Sequence, residues 1–174
     1  MKRLFILITL LCMLTVNAFS QNYHREICYS DPYYYETVEE KPSFQGGDIS
    51  LFSEWVRERL VYPDIAKEKC IEGRVLLEFI IEEDGSVIDV QVKRGFATYN
   101  YKEKLNEAYR KLKWAETEER IEQLKSEIDY ITATLMLDQE AVRVVSMSPN
   151  WTPGKHNGKP VYVHVPYLVI FQLR

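Results

Sequence analysis

The sequence has few cysteines, glycines and prolines, and no excess of basic residues. It holds three cysteines, seven glycines and seven prolines among 174 residues, which excludes a disulfide-rich scaffold, a collagen-like chain and a low-complexity chain. Its 22 basic and 26 acidic residues give a net charge of −4, so nothing attracts the protein electrostatically to nucleic acid or anionic lipid. With 46% hydrophobic residues, the composition is that of one globular domain.

The longest apolar run lies at the N-terminus and predicts an export signal. Lys2 and Arg3 precede an apolar stretch over 4–16, and Ala18 and Ser20 are small residues at the positions that a signal peptidase reads. About 13 residues rise only about 20 Å as a helix, short of the roughly 30 Å hydrocarbon core. We expect residues 1–20 to be a cleaved signal peptide, and a retained membrane anchor is the alternative.

Residues 21–43 are polar and tyrosine-rich without periodicity, which predicts a tail or a short spacer. Cleavage of the leader leaves Cys28 and Cys70, an even pair in a compartment where disulfides persist. Either one bridge ties the tail to the domain, or both thiols stay unpaired. The three histidines are isolated in the sequence, and no spacing of histidine and cysteine predicts a metal site or another cofactor.

Residues 44–174 carry the pattern of an α+β domain. Asp48 can cap a helix whose apolar residues recur at helical spacing, and Pro63 follows its end. Period-two alternation then predicts an antiparallel hairpin of two strands around the turn Asp84–Gly85. The residues expected on the inward face of the second strand are Ile88, Val90 and Val92.

The last segment, from Val161 onward, alternates over about twelve residues and predicts a final strand. Pro166 lies inside it, and proline cannot donate to a ladder, so we expect this strand at a sheet edge or at a bulge with one side unpaired. Such an edge is shielded, prone to aggregation, or a docking strip for another chain's strand.

Residues 96–137 form an unusual stretch without glycine or proline, rich in Glu, Lys and Arg, with apolar residues at helical spacing. The stretch is either one long helix or a helical hairpin folded near 114–117. Its heptad-like stripe, which packs on its own domain or pairs with a partner or second copy, is Ile121, Leu124, Ile128, Ile131 and Leu135. Asp138 is expected to cap a further helix.

In order, the motifs of this chain resemble the C-terminal domain of TonB, the energy-transducing protein, in the form common among Bacteroidetes. The resemblance covers most of residues 40–174. The matching residues are Pro42, Phe44, Gly46, Gly47, Tyr62, Pro63, Gly73, Val75, Asp84, Gly85, Val87, Trp151, Pro153, Gly154, Gly158, Lys159, Pro160 and Val161, together with a final strand that contains a proline.

The resemblance implies a small α+β domain with helices on one face of a three-stranded antiparallel sheet. It further implies a periplasmic interaction module that binds the Ton box, an extended N-terminal segment of outer-membrane transporters, beside the last strand, in energy-coupled nutrient uptake. The implied docking residues are Val161, Tyr162, Val163, His164, Val165, Pro166, Tyr167, Leu168, Val169, Ile170 and Phe171. No catalytic motif is found, and we expect no enzymatic activity.

Two features differ from the family pattern. Energy transducers of this kind are normally tied to the inner membrane with ExbB and ExbD, and these are implied partners only if the leader is retained. The helical insertion 96–137 replaces a brief connection in relatives. The alternative function is therefore an envelope adaptor or an oligomerising structural protein, such as a homodimer, acting through the insertion.

Overall fold

The computed structural model describes residues 32–97 and 100–173. The predicted signal peptide, residues 21–31 of the predicted spacer and Cys28 lie outside the described residues. Along the described chain the elements are β1 (Tyr33–Tyr34), α1 (Ile49–Arg59), α2 (Asp64–Glu68), β2 (Gly73–Ile81), β3 (Val87–Arg94), α3 (Tyr101–Lys113), α4 (Glu118–Ser146), β4 (Lys155–His156), β5 (Lys159–Pro160) and β6 (Val163–Phe171).

The main sheet has the strand order β1-β6-β2-β3. β2 is central, pairing antiparallel with β3 on one side and with β6 on the other, from Gly73 opposite Phe171 to Ile81 opposite Val163. The predicted α+β class with three antiparallel strands is confirmed. β1 adds a short fourth strand, parallel to β6, that the sequence did not predict. The described part of the predicted spacer, 32–43, therefore packs on the domain.

One face of the sheet is covered by α1 and α4 around an aromatic cluster. The Phe52 ring lies 4.9 Å from those of Trp151 and Tyr167 and 5.0 Å from that of Phe44, measured between centroids. Asp48 caps α1 as predicted, because its carboxylate accepts the N–H of Ser50 at 2.8 Å. This cap fixes the start of the helix that places Phe52 over the sheet.

A bulge in β3 changes which residues of that strand face the helices. Ile80 is opposite Ile88, but the register shifts before Glu78 is opposite Gln91, and Asp89 has φ +50°. Ile88 therefore shares the outer face with Ile80, and the expectation that it points inward is wrong. Val90, beyond the bulge, packs against the core as expected.

The insertion is a helical hairpin, which resolves the alternative left open by the sequence. α3 ends at Lys113, and Thr117 caps α4 by accepting the N–H of Arg120 at 3.3 Å. Leu124, Ile128 and Ile131 are buried within the chain itself. Most of the heptad-like stripe is thus covered by its own domain rather than left open for a partner.

Asp138 does not cap a separate helix, because α4 runs without a break from Glu118 to Ser146. Its carboxylate instead accepts the backbone N–H groups of Phe96 and Ala97, at 2.8 and 2.9 Å. Gly95 leaves the room for this, since a Cβ there would lie 2.3 Å from Asp138 Oδ2. The side chain ties the start of the insertion to the middle of α4.

We expect the contribution of Asp138 to stability to fall as pH rises. The side chain is only 6% exposed, and burial raises its pKa, although the hydrogen bonds from Phe96 and Ala97 oppose the shift. A pKa raised on folding favours the protonated form, so its contribution is full below the unfolded pKa and is lost as pH rises through the folded pKa. The measurement is the free energy of unfolding of the wild type minus that of Asp138→Asn between pH 3 and 7.

Asp84 is the control for this experiment. Hydrogen bonds from Ser86 lower the pKa of Asp84, so the stability of the wild type relative to Asp84→Asn should change in the opposite direction over the same range. A difference between the wild type and Asp138→Asn that grows with pH would show that the two backbone hydrogen bonds outweigh burial at Asp138.

Candidate functional site

The outer side of β6 is the candidate docking edge. Over residues 163–164 it is covered by β1, with Tyr33 opposite Val163 and Tyr34 opposite His164. No strand of the described chain pairs with β6 on this side over residues 165–171. The expectation of a wholly unpaired side is therefore wrong for the first part of the strand and holds for the rest.

The pairing determines which backbone groups of β6 point outward. The N–H groups of Tyr33 and Tyr35 donate to the carbonyls of Tyr162 and His164, both at 2.9 Å. Because alternate residues of a strand direct their polar backbone groups to the same side, the even-numbered residues of β6 face outward and the odd-numbered ones face β2. The N–H and C=O groups of Leu168 and Ile170 therefore face outward.

Pro166 occupies one of these outward positions, where its missing N–H breaks no bond to β2. The proline also ends the ladder with β1, because the next outward N–H along β6 would be its own. The edge thus has two parts, one before Pro166 that β1 covers and one after it that presents Leu168 and Ile170.

The side chains of the predicted docking residues alternate in burial as expected. Leu168 is 40% exposed and Ile170 is 55% exposed, on the sheet face away from the helices. Val161, Tyr162 and His164 are half-buried, and Pro166 is exposed. The docking residues whose side chains are buried in the core are Val163, Val165, Tyr167, Val169 and Phe171.

Charge around this edge is uneven. The carboxylates of Glu82, Glu83 and Asp84 lie near Tyr162 and, together with desolvation as the larger cause, raise the pKa of its hydroxyl. On the outer face of the sheet Lys93 and Glu78 form an ion pair at 2.7 Å. The start of β6 is therefore acidic, whereas Leu168 and Ile170 present an apolar surface.

The residues that carry the family resemblance build turns and core rather than line a site. Pro42 and Phe44 are buried, and Gly46 has φ +81° in the turn where Phe44 and Gly47 exchange two backbone hydrogen bonds at 2.9 Å. The Tyr62 hydroxyl donates to the Ile71 carbonyl.

Other motif residues fix the two ends of the sheet. The carbonyl of Pro63 accepts the N–H of Ala66 at the start of α2, and a Cβ on Gly73 would lie 2.8 Å from the Phe96 ring. Asp84 accepts the N–H of Ser86 at 2.8 Å in the β2–β3 turn. This turn packs against the chain that follows α4 through Gly85.

The motif after α4 supports the start of β6. The Trp151 indole donates to Ser148 Oγ at 2.9 Å, and Thr152, beside Pro153, bridges to Ser43. The Gly154 carbonyl accepts the Val161 N–H at 3.0 Å. Gly158, with φ +70°, turns the chain between β4 and β5, and Pro160 ends β5.

Two tyrosines that the sequence analysis did not assign to the site lie at the edge. Tyr33 stacks on His156 with 4.4 Å between ring centroids, and Tyr34 stacks on His164 with 5.6 Å. The only signal in the sequence was the cluster of aromatic residues at 33–35. Because that cluster shows no alternation, it could not indicate a strand by itself.

Cys70 is exposed, and its predicted partner Cys28 lies outside the described residues, so the bridge remains a prediction. In the part of the chain that the structure describes, no three His, Cys, Asp or Glu residues are grouped so as to hold a metal ion. Across residues 32–97 and 100–173, no helix is both long and apolar enough to cross a membrane.

Comparison with known proteins agrees with this architecture. The family model for the Gram-negative bacterial TonB protein C-terminal matches residues 58–114. The matched stretch runs from the end of α1 through the β2–β3 hairpin to α3, and it stops before β6. None of the curated proteins compared with the chain matches it.

Proposed function

Because the chain carries a TonB C-terminal domain, we propose that it is a periplasmic module that binds an extended segment of an outer-membrane transporter as an added strand beside β6. TonB C-terminal domains are protein-interaction domains that act with TonB-dependent transporters. The segment proposed for this chain is the Ton box, and the proposed role is in energy-coupled uptake.

The outward backbone groups of Leu168 and Ile170 carry this proposal. A strand laid beside them gains ladder hydrogen bonds, each contributing roughly 0.5–1.5 kcal/mol net, and main-chain pairing tolerates varied peptide sequences. Because Leu168 and Ile170 also expose apolar side chains, alternate apolar residues of the added strand would pack beside them. Basic residues in the segment would suit the acidic start of β6.

A second candidate function is an envelope adaptor that acts through the helical hairpin. Trp114, in the hairpin turn, is 78% exposed, and Tyr109 and Tyr130 are exposed on α3 and α4. Exposed aromatic side chains are enriched where proteins meet. This surface would serve a partner or a second copy without involving β6, and ExbB and ExbD are proposed partners only if the leader is retained as an anchor.

Site-specific photo-crosslinking in the native host tests the proposed function. With p-benzoylphenylalanine at position 168, we expect capture of the N-terminal segment of an outer-membrane transporter, identified by mass spectrometry. The matched control is the same residue at Val92, which has nearly the exposure of Leu168 but lies on β3, away from the docking edge.

The outcomes separate the two candidate functions. Capture of transporter segments from position 168 at several times the yield from position 92 supports strand addition beside β6. Equal yields from the two positions would overturn the assignment of the edge. Capture from position 114 alone would favour the adaptor function.

A further inference from the structure

The docking edge already holds an occupant from the chain itself. β1 lies beside the start of β6 and uses the outward carbonyls of Tyr162 and His164 as acceptors for the N–H groups of Tyr33 and Tyr35. These carbonyls belong to the edge that an added strand would use. A partner strand that spans the edge on both sides of Pro166 cannot form while β1 is in place.

β1 is held by few interactions. It is two residues long, and Pro166 prevents its ladder from continuing along β6. Its side chains stack on His156 and His164, and the Nδ1 atoms of both histidines are buried without a hydrogen-bond partner. Covering polar atoms without hydrogen bonds is unfavourable, so departure of β1 would return both atoms to water.

The chain just after β1 is fixed separately and more firmly. Val38 is buried in the core, and Glu40 and Lys155 exchange two backbone hydrogen bonds at 2.9 and 3.0 Å. The Lys155 ammonium also pairs with the Glu40 carboxylate at 3.1 Å. Residues 38–44 can therefore stay packed when residues 33–35 leave the edge, and the core need not open.

We infer that β1 is a displaceable cap on the docking edge, which a partner strand must remove in order to pair along the whole of β6. This inference rests on the proposed function, because it describes how the same edge is regulated. The cap shields the first part of the edge when no partner is bound. A segment that pairs on both sides of Pro166 would bind with an affinity reduced by the stability of the cap.

A reversible covalent lock tests the cap. Tyr34→Cys and His164→Cys are introduced into the full protein with Cys28→Ser and Cys70→Ser, and are joined by a short bifunctional methanethiosulfonate that reduction removes. p-Benzoylphenylalanine at position 168 reports capture of transporter segments in an envelope extract from the native host. We expect the locked form to capture them at one tenth or less of the yield of the reduced form.

The control lock joins Glu40→Cys to Lys155→Cys, which face each other in the fixed segment. It ties the same two parts of the chain without holding β1, so capture should be unchanged. Equal capture by the β1-locked and reduced forms would overturn the cap and leave the proposed function standing. Absence of capture from both forms would instead overturn the proposed function.

Hydrogen exchange on the purified protein tests the cap without any partner. We expect the amides of Tyr33 and Tyr35 to exchange at least tenfold faster than that of Glu40, because β1 leaves the edge while the fixed segment stays packed. Exchange of all three amides at one common rate would show that β1 opens only with the domain, which would overturn the cap whatever the capture result.

Discussion

Replacing Gly85 with alanine is expected to cost a large part of the domain's stability. Gly85 has φ +84°, and a Cβ there would lie 1.8 Å from the carbonyl oxygen of Trp151. The Trp151 N–H also donates to the Gly85 carbonyl at 2.8 Å, so neither backbone can move away freely. The left-handed backbone costs alanine about 1–2 kcal/mol and the overpacking about 1–3 kcal/mol more. Thermal unfolding should show a melting temperature lower by about 10 °C or more.

Gly46→Ala is the matched control for this prediction. Gly46 has nearly the same backbone angle, φ +81°, but nothing lies within 4 Å of a Cβ placed on it. It should therefore lose only the roughly 1–2 kcal/mol of the left-handed backbone. If the two variants unfolded at the same temperature, the close approach of the β2–β3 turn to Trp151 would not matter for stability.

Leu168→Pro is expected to abolish docking while leaving the domain folded. The N–H of Leu168 faces outward, so proline there removes a donor that a partner strand would use and no bond to β2. The substitution repeats at the next outward position what the chain already has at Pro166. Capture of transporter segments should fall at least tenfold, while the melting temperature changes by only a few degrees.

Val169→Pro provides the matched control one residue further along. The Val169 N–H faces β2, and its side chain is buried, so proline there should break the central ladder and cost about 3 kcal/mol or more. Circular dichroism during heating distinguishes the two variants. Similar losses of stability from both would contradict the assignment of outward and inward backbone groups in β6.

The sequence was informative where a residue's chemistry left few choices. Pro166 indicated an edge because its missing N–H cannot be tolerated between two paired strands. Asp48 indicated a helix start for an equally local reason, since its carboxylate reaches an N–H two residues on. Both predictions depended on interactions within a few residues of chain, and the structure agrees with both.

Other features depended on contacts between distant residues and could not be predicted in this way. β1 is a strand only because β6 lies beside it, about 130 residues later in the chain. The bulge at Asp89 interrupts a stretch whose alternation continues unbroken in the sequence. The buried carboxylate of Asp138 binds N–H groups about 40 residues earlier, so its resemblance to a helix cap was misleading.

The candidate site was predictable only in part for the same reason. The alternation of Val163, Val165, Tyr167 and Val169 fixed which side chains face the core. It could not reveal that the chain's own Tyr33 and Tyr34 cover the first part of the edge. A hydrophobic pattern reports which face of a strand is buried, but it does not report what lies beside the strand in the plane of the sheet.

The pairing of β2 with β6 also has a consequence for the order in which the protein can fold. Gly73 is opposite Phe171, so the central strand receives its longer partner only from the last residues of the chain to be synthesised. Contacts between such distant residues are costly to form by loop closure and slow the search for the native state. A nascent chain that lacks residues 163–171 would hold β2 and β3 as an unsupported hairpin, which is marginally stable at best in water. Folding therefore waits for the complete chain.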